Sequence, residues 1–560
     1  MFKRPRPRFL LMTFSLMSML ILVLGACGAQ GTPVQPQTQK AVRGGTWIDD
    51  IPNEPGSLIP NGDAQTFDVV VEQALYTPPF VGDYTGKITP YIATEIPTLA
   101  NGEVSADLKT WTIKLRPGLK WNDGQPLNAD DLDFTWRLWD NPKFGAASTV
   151  GYNLITSDDI SADKLTITFH LKSAYAPFLA LWTDGAGAPL PKHHFESMAP
   201  DAILKSKDNL NPSVTSGPFM MSESVPGDHY TVVRNPNYFQ ASAGLPYLDK
   251  IIFRPIANED TILKDLQAGS ITSSWFLDVS KTNTYKTLSN YKLAVNPNAS
   301  NFEVMIINLK NPILGQHLEV RKAMAMAIDH SALINVARLG EAIPLCTDHG
   351  KSVVPGYEAN APCPKFDPTA ANALLDQNGW VKGPDGVRSK NGQRLEFTYS
   401  TTSGKQWRLN DEQIIQSNFK DIGIKINIVN YPASTYFGSF LPNGKHDLAE
   451  FENSYTYDGD DASLLDCSQQ GTNGENWSFY CNQQMEQYLH TEEQTADPNA
   501  RQAAFNQIHQ LELTDFPFVV LYSPADLGIA KTTAHNYAPA PEGASETINV
   551  WQWWCTNGQC

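Results

Sequence analysis

The chain has 560 residues, 41% of them hydrophobic, and a formal net charge of −17. Single cores stop growing near about 250 to 300 residues, so this length excludes a one-core fold and predicts two or three lobes. The acidic balance excludes a nucleic-acid partner, whose phosphates it would repel, and otherwise bears on solubility.

The chain opens with Lys3, Arg4, Arg6 and Arg8, followed by an uncharged, Leu- and Met-rich run from Phe9 to Leu24. This is the pattern of an export signal. The run falls short of the roughly twenty apolar residues that span a bilayer, which disfavours a retained membrane helix. Leu24-Gly25-Ala26-Cys27 then resembles the lipobox of bacterial lipoproteins, cut before the cysteine. That resemblance implies residues 1–26 as a signal peptide and a lipid on Cys27. At about 0.8 kcal/mol per buried methylene, two or more acyl chains anchor stably. Removing the four basic residues of the signal leaves −21 on the mature chain. Residues 28–43 are small, polar and Pro/Gln-bearing, so 27–43 reads as a flexible tether with the folded part starting near Gly44.

From there, alternating Val, Ile, Thr and aromatic runs predict strands over 44–49, 111–115, 164–171, 229–234, 250–255, 302–308, 396–399, 424–430 and 518–522. Helical periodicity predicts helices over 128–139, 261–267, 318–337, 367–377, 409–421, 482–493 and 498–513. Asn128 reads as an N-cap, and Asp367-Pro368 and Asp497-Pro498 each place a cap before a proline at the first helical position. Trp551, Trp553 and Trp554 alternate like the packed face of a strand. The interleaving of strands and helices indicates an α/β or α+β mixed architecture. No second long apolar run and no internal repeat are present.

Besides Cys27 the chain has Cys346, Cys363, Cys467, Cys481, Cys555 and Cys560, an even number in three local couples. In an exported protein this predicts sequential disulfides, 346 with 363, 467 with 481 and 555 with 560. Free buried thiols are the alternative, more so for the terminal couple. None has the CxxC spacing of a redox or zinc site.

Several blocks in order carry a family resemblance: GGTW at 44–47, GKITP at 86–90, LKTWTIKLRPGLKWNDGQPLNADDLDFTWRLW at 108–139, SGPF at 216–219, YTVVRNPNYF at 230–239, LPYLDKIIFRPI at 245–256, VRKAMAMAID at 320–329 and FKDIGIKINIV at 419–429. The chain resembles the extracellular solute-binding proteins of family 5, which include the periplasmic dipeptide- and oligopeptide-binding proteins of ABC importers. The resemblance implies a periplasmic-binding-protein-like type II clamshell, three-lobed, with a discontinuous first lobe. Its boundaries fall at 44–85, 213–301 and 518–560 for lobe I, 86–212 for lobe II and 302–517 for lobe III. It implies ligand held between lobes I and III, with Asn301 and Phe302 at the hinge. It also implies an oligopeptide or related solute as ligand, permease subunits as partners, and a monomer held outside the cell or in the periplasm by its lipid.

In peptide-binding members an aspartate in an acidic loop pairs with the ligand's amine, and a disulfide like Cys467–Cys481 follows that loop. Here Asp461 stands where that loop's proline is expected, leaving Asp458 and Asp460 as candidates. Tyr455, Tyr457, Trp407, Tyr436 and Trp275 fall in segments that flank the family's cleft, with core packing as the competing role of each. The same fold also serves nickel, haem and oligosaccharide carriers.

No catalytic group and no cofactor are expected, since HExxH, GxSxG and Walker spacings are all missing. His193-His194 reads as part of a structural turn. No metal is expected either, the triple-Asp loop lacking the EF-hand spacing. The alternative to a transport receptor is a secreted, lipid-anchored hydrolase of peptides or glycans, distinguished by turnover.

Overall fold

The computed structural model describes residues 40–560 apart from 64, 84–86, 298–299, 354, 456 and 540–544. The export signal 1–26, Cys27 and the tether up to residue 39 lie outside the described residues. All the elements below belong to the unit Ala41–Cys560.

Three main sheets organise it. A seven-stranded sheet runs in the order Tyr291–Asn296, Asp526–Lys531, Ser273–Trp275, Thr46–Ile51, Lys250–Pro255, His229–Arg234, Phe219–Val225. A six-stranded sheet runs Ala342–Ile343, Phe518–Pro524, Asn301–Ile307, Leu448–Ser454, Glu396–Ser400, Lys425–Ile428. A three-stranded sheet of Thr110–Lys114, Thr166–Leu171 and Ile155–Ile160 shares one continuous apolar core with the first. Trp553 stacks on Trp47 within that core at 4.5 Å between ring centres.

The six-stranded sheet is covered on both faces. Along Asn301–Ile307, Met305 and Ile307 enter one core while Phe302, Val304 and Ile306 enter the other. Helices Leu318–Ala327, Pro368–Gln377 and Gln406–Asp421 cover the first face, and Gln483–Glu493 and Pro498–Asp515 the second. A strand covered on both faces is largely apolar, and this one is buried at every position, its one charge, Glu303, being paired with Arg408.

The caps act as the sequence predicts. Asn128 Oδ1 accepts from Asp130 N, while Asp131 Oδ2 accepts from Asn128 N, closing a capping box on the helix Ala129–Trp139. Asp367 and Asp497 cap the helices that begin at Pro368 and Pro498. The disulfides join Cys346 to Cys363, Cys467 to Cys481 and Cys555 to Cys560.

Three expectations are corrected. The strand Phe518–Pro524, grouped with the first lobe, pairs instead with Asn301–Ile307 in the six-stranded sheet, and only Asp526–Lys531 returns to the other. Its run of apolar residues from Phe518 to Leu521 satisfies either core, so its partner was not legible. The single helix over 318–337 breaks at Ile328, where the backbone is extended, because Asp329 caps a new turn by accepting from Ala332 N. Trp551 lies in the 3-10 helix Glu546–Gln552 rather than a strand, although all three C-terminal tryptophans are buried. Among the described residues, no helix is long and apolar enough to cross a membrane.

Candidate functional site

The chain passes twice between the two large sheets. It goes from Tyr291–Asn296 to Asn301–Ile307, and from Phe518–Pro524 to Asp526–Lys531 across the single residue Ala525. Beside these crossings lies a cleft of about 620 Å³, to which Asn301 and Asp526, the first residues beyond each crossing, both contribute. Small-molecule sites occupy about 300 to 1,000 Å³.

Its walls are aromatic, with Phe67, Trp275 and Phe276 on the side of the seven-stranded sheet and Phe437, Phe451 and Trp477 on the other. Two carboxylates stand among them, Asp526 buried and Glu452 half-buried. Asn301 Nδ2 donates to Glu452 Oε1 at 2.7 Å, and Trp275 Nε1 donates to Asp526 Oδ2 at 2.8 Å. Burial pushes both carboxyls up to about 7, Glu452 further raised by the nearby Glu303 and Asp526 by Glu452. The cleft therefore favours a positive group, which would take the place of water in balancing them.

Lys405 and Arg408 also line the cleft but are committed elsewhere. Arg408 Nε pairs with Glu303 Oε1 at 3.1 Å, and its Nη1 donates to Thr402 Oγ1 at 2.5 Å. Lys405 Nζ reaches across the cleft to donate to the Phe276 carbonyl oxygen at 2.8 Å and to pair with Glu259 at 3.4 Å. Gln406 N donates to Asp278 Oδ2 at 2.9 Å. The start of the helix Gln406–Asp421 is thus clamped to the opposite wall.

Of the residues singled out from the sequence, Trp275 lines the cleft. The strand Leu448–Ser454 delivers residues 451–454 to it, but Tyr455, Tyr457, Asp458 and Asp460 are outside its lining. Asp458 is held by Arg501 through both oxygens, at 2.6 and 2.8 Å. Asp460 accepts from Tyr175 OH at 2.8 Å and from Ala462 N at 2.9 Å. Tyr455 stacks on His349 and donates to Asp348 Oδ2, while Tyr457 packs so closely on Gly82 that a Cβ there would lie 2.0 Å from its ring.

Trp407 is buried with the Arg338 guanidinium 4.3 Å above its ring. Tyr436 is buried and donates to the carbonyl oxygens of Ser400 and Glu450. These side chains pack or pair inside the protein, Asp458 with Arg501 and Asp460 with Tyr175 and the Ala462 amide.

Glu452, Asp526, Asn301 as a lining residue, Lys405 and Arg408 were not singled out. One signal was present: Glu450 and Glu452 alternate with Leu448, Ala449 and Phe451 in the apolar first part of a strand, and a charge placed there has a partner or a purpose.

A family model for bacterial extracellular solute-binding proteins, family 5 (middle part), matches residues 87–504. The chain is 25% identical over 570 residues to the oligopeptide-binding protein AppA of Bacillus subtilis, covering 98% of this chain and 99% of that protein. The solved structure of AppA from Bacillus subtilis in complex with a nonapeptide superposes with a TM-score of 0.83 at 22% identity, covering 92% of this chain and 100% of that one. NikZ from Campylobacter jejuni in complex with Ni(L-His) superposes with a TM-score of 0.80 at 23% identity, covering 91% and 99%. At these identities the superpositions speak for the fold, a mixed α/β architecture of periplasmic binding proteins.

Proposed function

Because the chain belongs to the bacterial extracellular solute-binding proteins of family 5, we propose that it is the substrate-binding protein of an ABC importer. In this reading it captures oligopeptides in the cleft and delivers them to a membrane permease. The observation that carries the reading is the position of the cleft. It lies between two sheets joined by two crossings, so a bound solute contacts both walls and stabilises their closure without any bond being made or broken. Binding rather than turnover is the activity, and no feature of the cleft favours the hydrolase.

Peptide as the solute is supported by the likeness over nearly the whole chain to an oligopeptide-binding protein and by the cleft's chemistry. Glu452 and Asp526 suit a cationic end such as a free amine, in place of the aspartates of the 458–461 loop. Aromatic faces cover side chains with little loss of rotamer freedom. The lobes of the clamshell follow the three sheets, with the discontinuous lobe built on the seven-stranded one. A lipid on Cys27 would hold the protein at the outer face of the membrane, where it acts as a monomer.

Thermal unfolding against pools of di- to hexapeptides, oligosaccharides, nickel and haem tests this. Ligand at a thousand times its dissociation constant adds about 4 kcal/mol to native stability. A rise in Tm with peptides alone is the expected result. A rise with another pool alone discards the peptide and keeps the receptor, and no rise with any pool retires the reading. Mass spectrometry of the N-terminal peptide from cells reads the lipid on Cys27, and Cys27→Ser is expected to release the protein from the membrane fraction.

A further inference from the structure

We propose that a second site, buried beside the six-stranded sheet and apart from the cleft, holds one divalent transition-metal cation on Asp348, His349 and His509, with Asp461 and Glu512 beside it. Between the strand Ala342–Ile343 and the helix Pro368–Gln377 the described residues form no helix or strand, and the disulfide Cys346–Cys363 ties this segment. Asp348 and His349 turn inward from it. They meet His509 and Glu512, one turn apart on the helix Pro498–Asp515, and Asp461, which precedes the helix Ala462–Leu465 without its carboxylate capping it. All five are buried, none more than 2% exposed.

The donor atoms converge. Asp348 Oδ1 is 2.9 Å from His349 Nδ1 and 3.7 Å from His509 Nε2, and those two ring nitrogens are 3.0 Å apart. The ligand atoms of Asp348, His349 and His509 all lie within 4.8 Å of one another, as do those of Asp348, Asp461 and Glu512.

Proton accounting points to a cation among them. His349 Nε2 faces the Gly459 carbonyl oxygen at 2.8 Å, which places a proton there, so that a neutral ring presents its Nδ1 lone pair to the cluster. His509 Nδ1 faces Glu358 Oε2 at 3.3 Å, which likewise favours a proton on Nδ1 and a lone pair on Nε2. Asp348 Oδ2 already accepts from Tyr455, so with neutral rings its Oδ1 meets two nitrogen lone pairs, an arrangement that a cation between them satisfies. These outer contacts are the kind that orient metal-bound imidazoles. Bare backbone packs on His349 as well, since a Cβ at Gly459 would lie 2.4 Å from its Nε2.

The second observation is independent of the histidines. No oxygen of Asp461 or Glu512 accepts a hydrogen bond of ordinary geometry. Among the described residues, no lysine or arginine pairs with Asp348, Asp461 or Glu512; the nearby Arg501 is spent on Asp458 and Glu492. Buried carboxylates without partners are costly, and a bound cation removes that cost.

Two imidazoles with carboxylates suit zinc and the neighbouring ions manganese, iron, cobalt and nickel, whereas calcium takes oxygen ligands alone. A closed site of this kind is structural, filled as the chain folds, and would clamp the disulfide-tied segment onto the helix Pro498–Asp515. The sequence expectation of no metal rested on the lack of a spaced motif. The traces it holds are Asp348-His349 in sequence and His509-x-x-Glu512 on one helix face.

Elemental analysis of the untagged full-length chain, purified without chelator, tests the proposal. The expected result is one such ion per chain, retained through gel filtration, and a lower Tm after refolding with chelator than after refolding with zinc. His509→Gln or Asp461→Asn is expected to lower metal affinity roughly tenfold or more, while Glu452→Gln in the cleft leaves it unchanged, which separates this site from any metal-bearing solute. If both variants fail to fold, the unmutated chain refolded with cobalt is expected to show the visible absorption of a nitrogen- and oxygen-ligated ion. Metal missing both as purified and after refolding with each of the five ions would overturn the proposal, as would metal lost with Glu452→Gln and kept with Asp461→Asn.

Discussion

Asp458 and Glu452 lie six residues apart, and their neighbours give them different work. Asp458 is saturated by Arg501, so Asp458→Asn is expected to leave peptide affinity unchanged while costing about 3 kcal/mol of stability in urea unfolding, because it removes one of the two carboxylates, Asp458 and Glu492, that balance a buried guanidinium. Glu452 faces the cleft with its carboxyl near 7. Glu452→Gln is expected to weaken binding of peptides with a free amine by about 2 kcal/mol or more in calorimetry, and to spare N-acetylated peptides. Binding a cation favours the ionised carboxylates, so affinity for the amine should fall as pH drops from about 8 to about 6. An affinity flat across that range would remove Glu452 and Asp526 from the amine site. None of this division was readable along the chain. Arg501 is 43 residues from Asp458 and Tyr175 is 285 from Asp460, so the partners that occupy those aspartates become visible only in the fold.

At the scale of elements, legibility followed periodicity and caps. Strands with one mixed face, such as His229–Arg234 and Lys250–Pro255, and helices opened by Asn128, Asp367 or Asp497 were legible because alternation and capping are local. The helix Thr66–Leu75 was missed, its Val69-Val70-Val71 run being poor helix chemistry that tertiary packing overrides. Asn128→Ala removes the side-chain cap while leaving the bond from the backbone N of residue 128 to Asp131, and is expected to cost about 1 kcal/mol in urea unfolding. Replacing Cys467 and Cys481 together by serine opens a short loop and is expected to cost about 3 kcal/mol. No shift of the unfolding midpoint in that variant would mean the bridge adds nothing to stability.

Over the whole molecule the buried acids set a pH dependence. Burial holds Asp49 and Asp526 up to about 7, Asp68 to about 8 and Glu412 to about 7, against ordinary values of 3.8 for aspartate and 4.5 for glutamate. The native state therefore binds more protons than the unfolded one between those limits. Stability from these groups is full below about 4 and is lost as pH rises through 7 to 8. The Tm of the unliganded protein should fall between about pH 5.5 and 8.5. A peptide amine gives Glu452 and Asp526 a counter-charge, so its Tm increment should be larger at about pH 8 than at about pH 6.

Among the described residues, Ala525, Pro297 and Ser300 do not line the cleft, although the chain crosses from sheet to sheet beside them. What the cleft recognises and how the walls are joined are thus written in different residues. Recognition can be rewritten by exchanging lining side chains while the linkage stays as it is, and a donor–acceptor dye pair set on the two walls would turn occupancy by any such solute into the same optical signal.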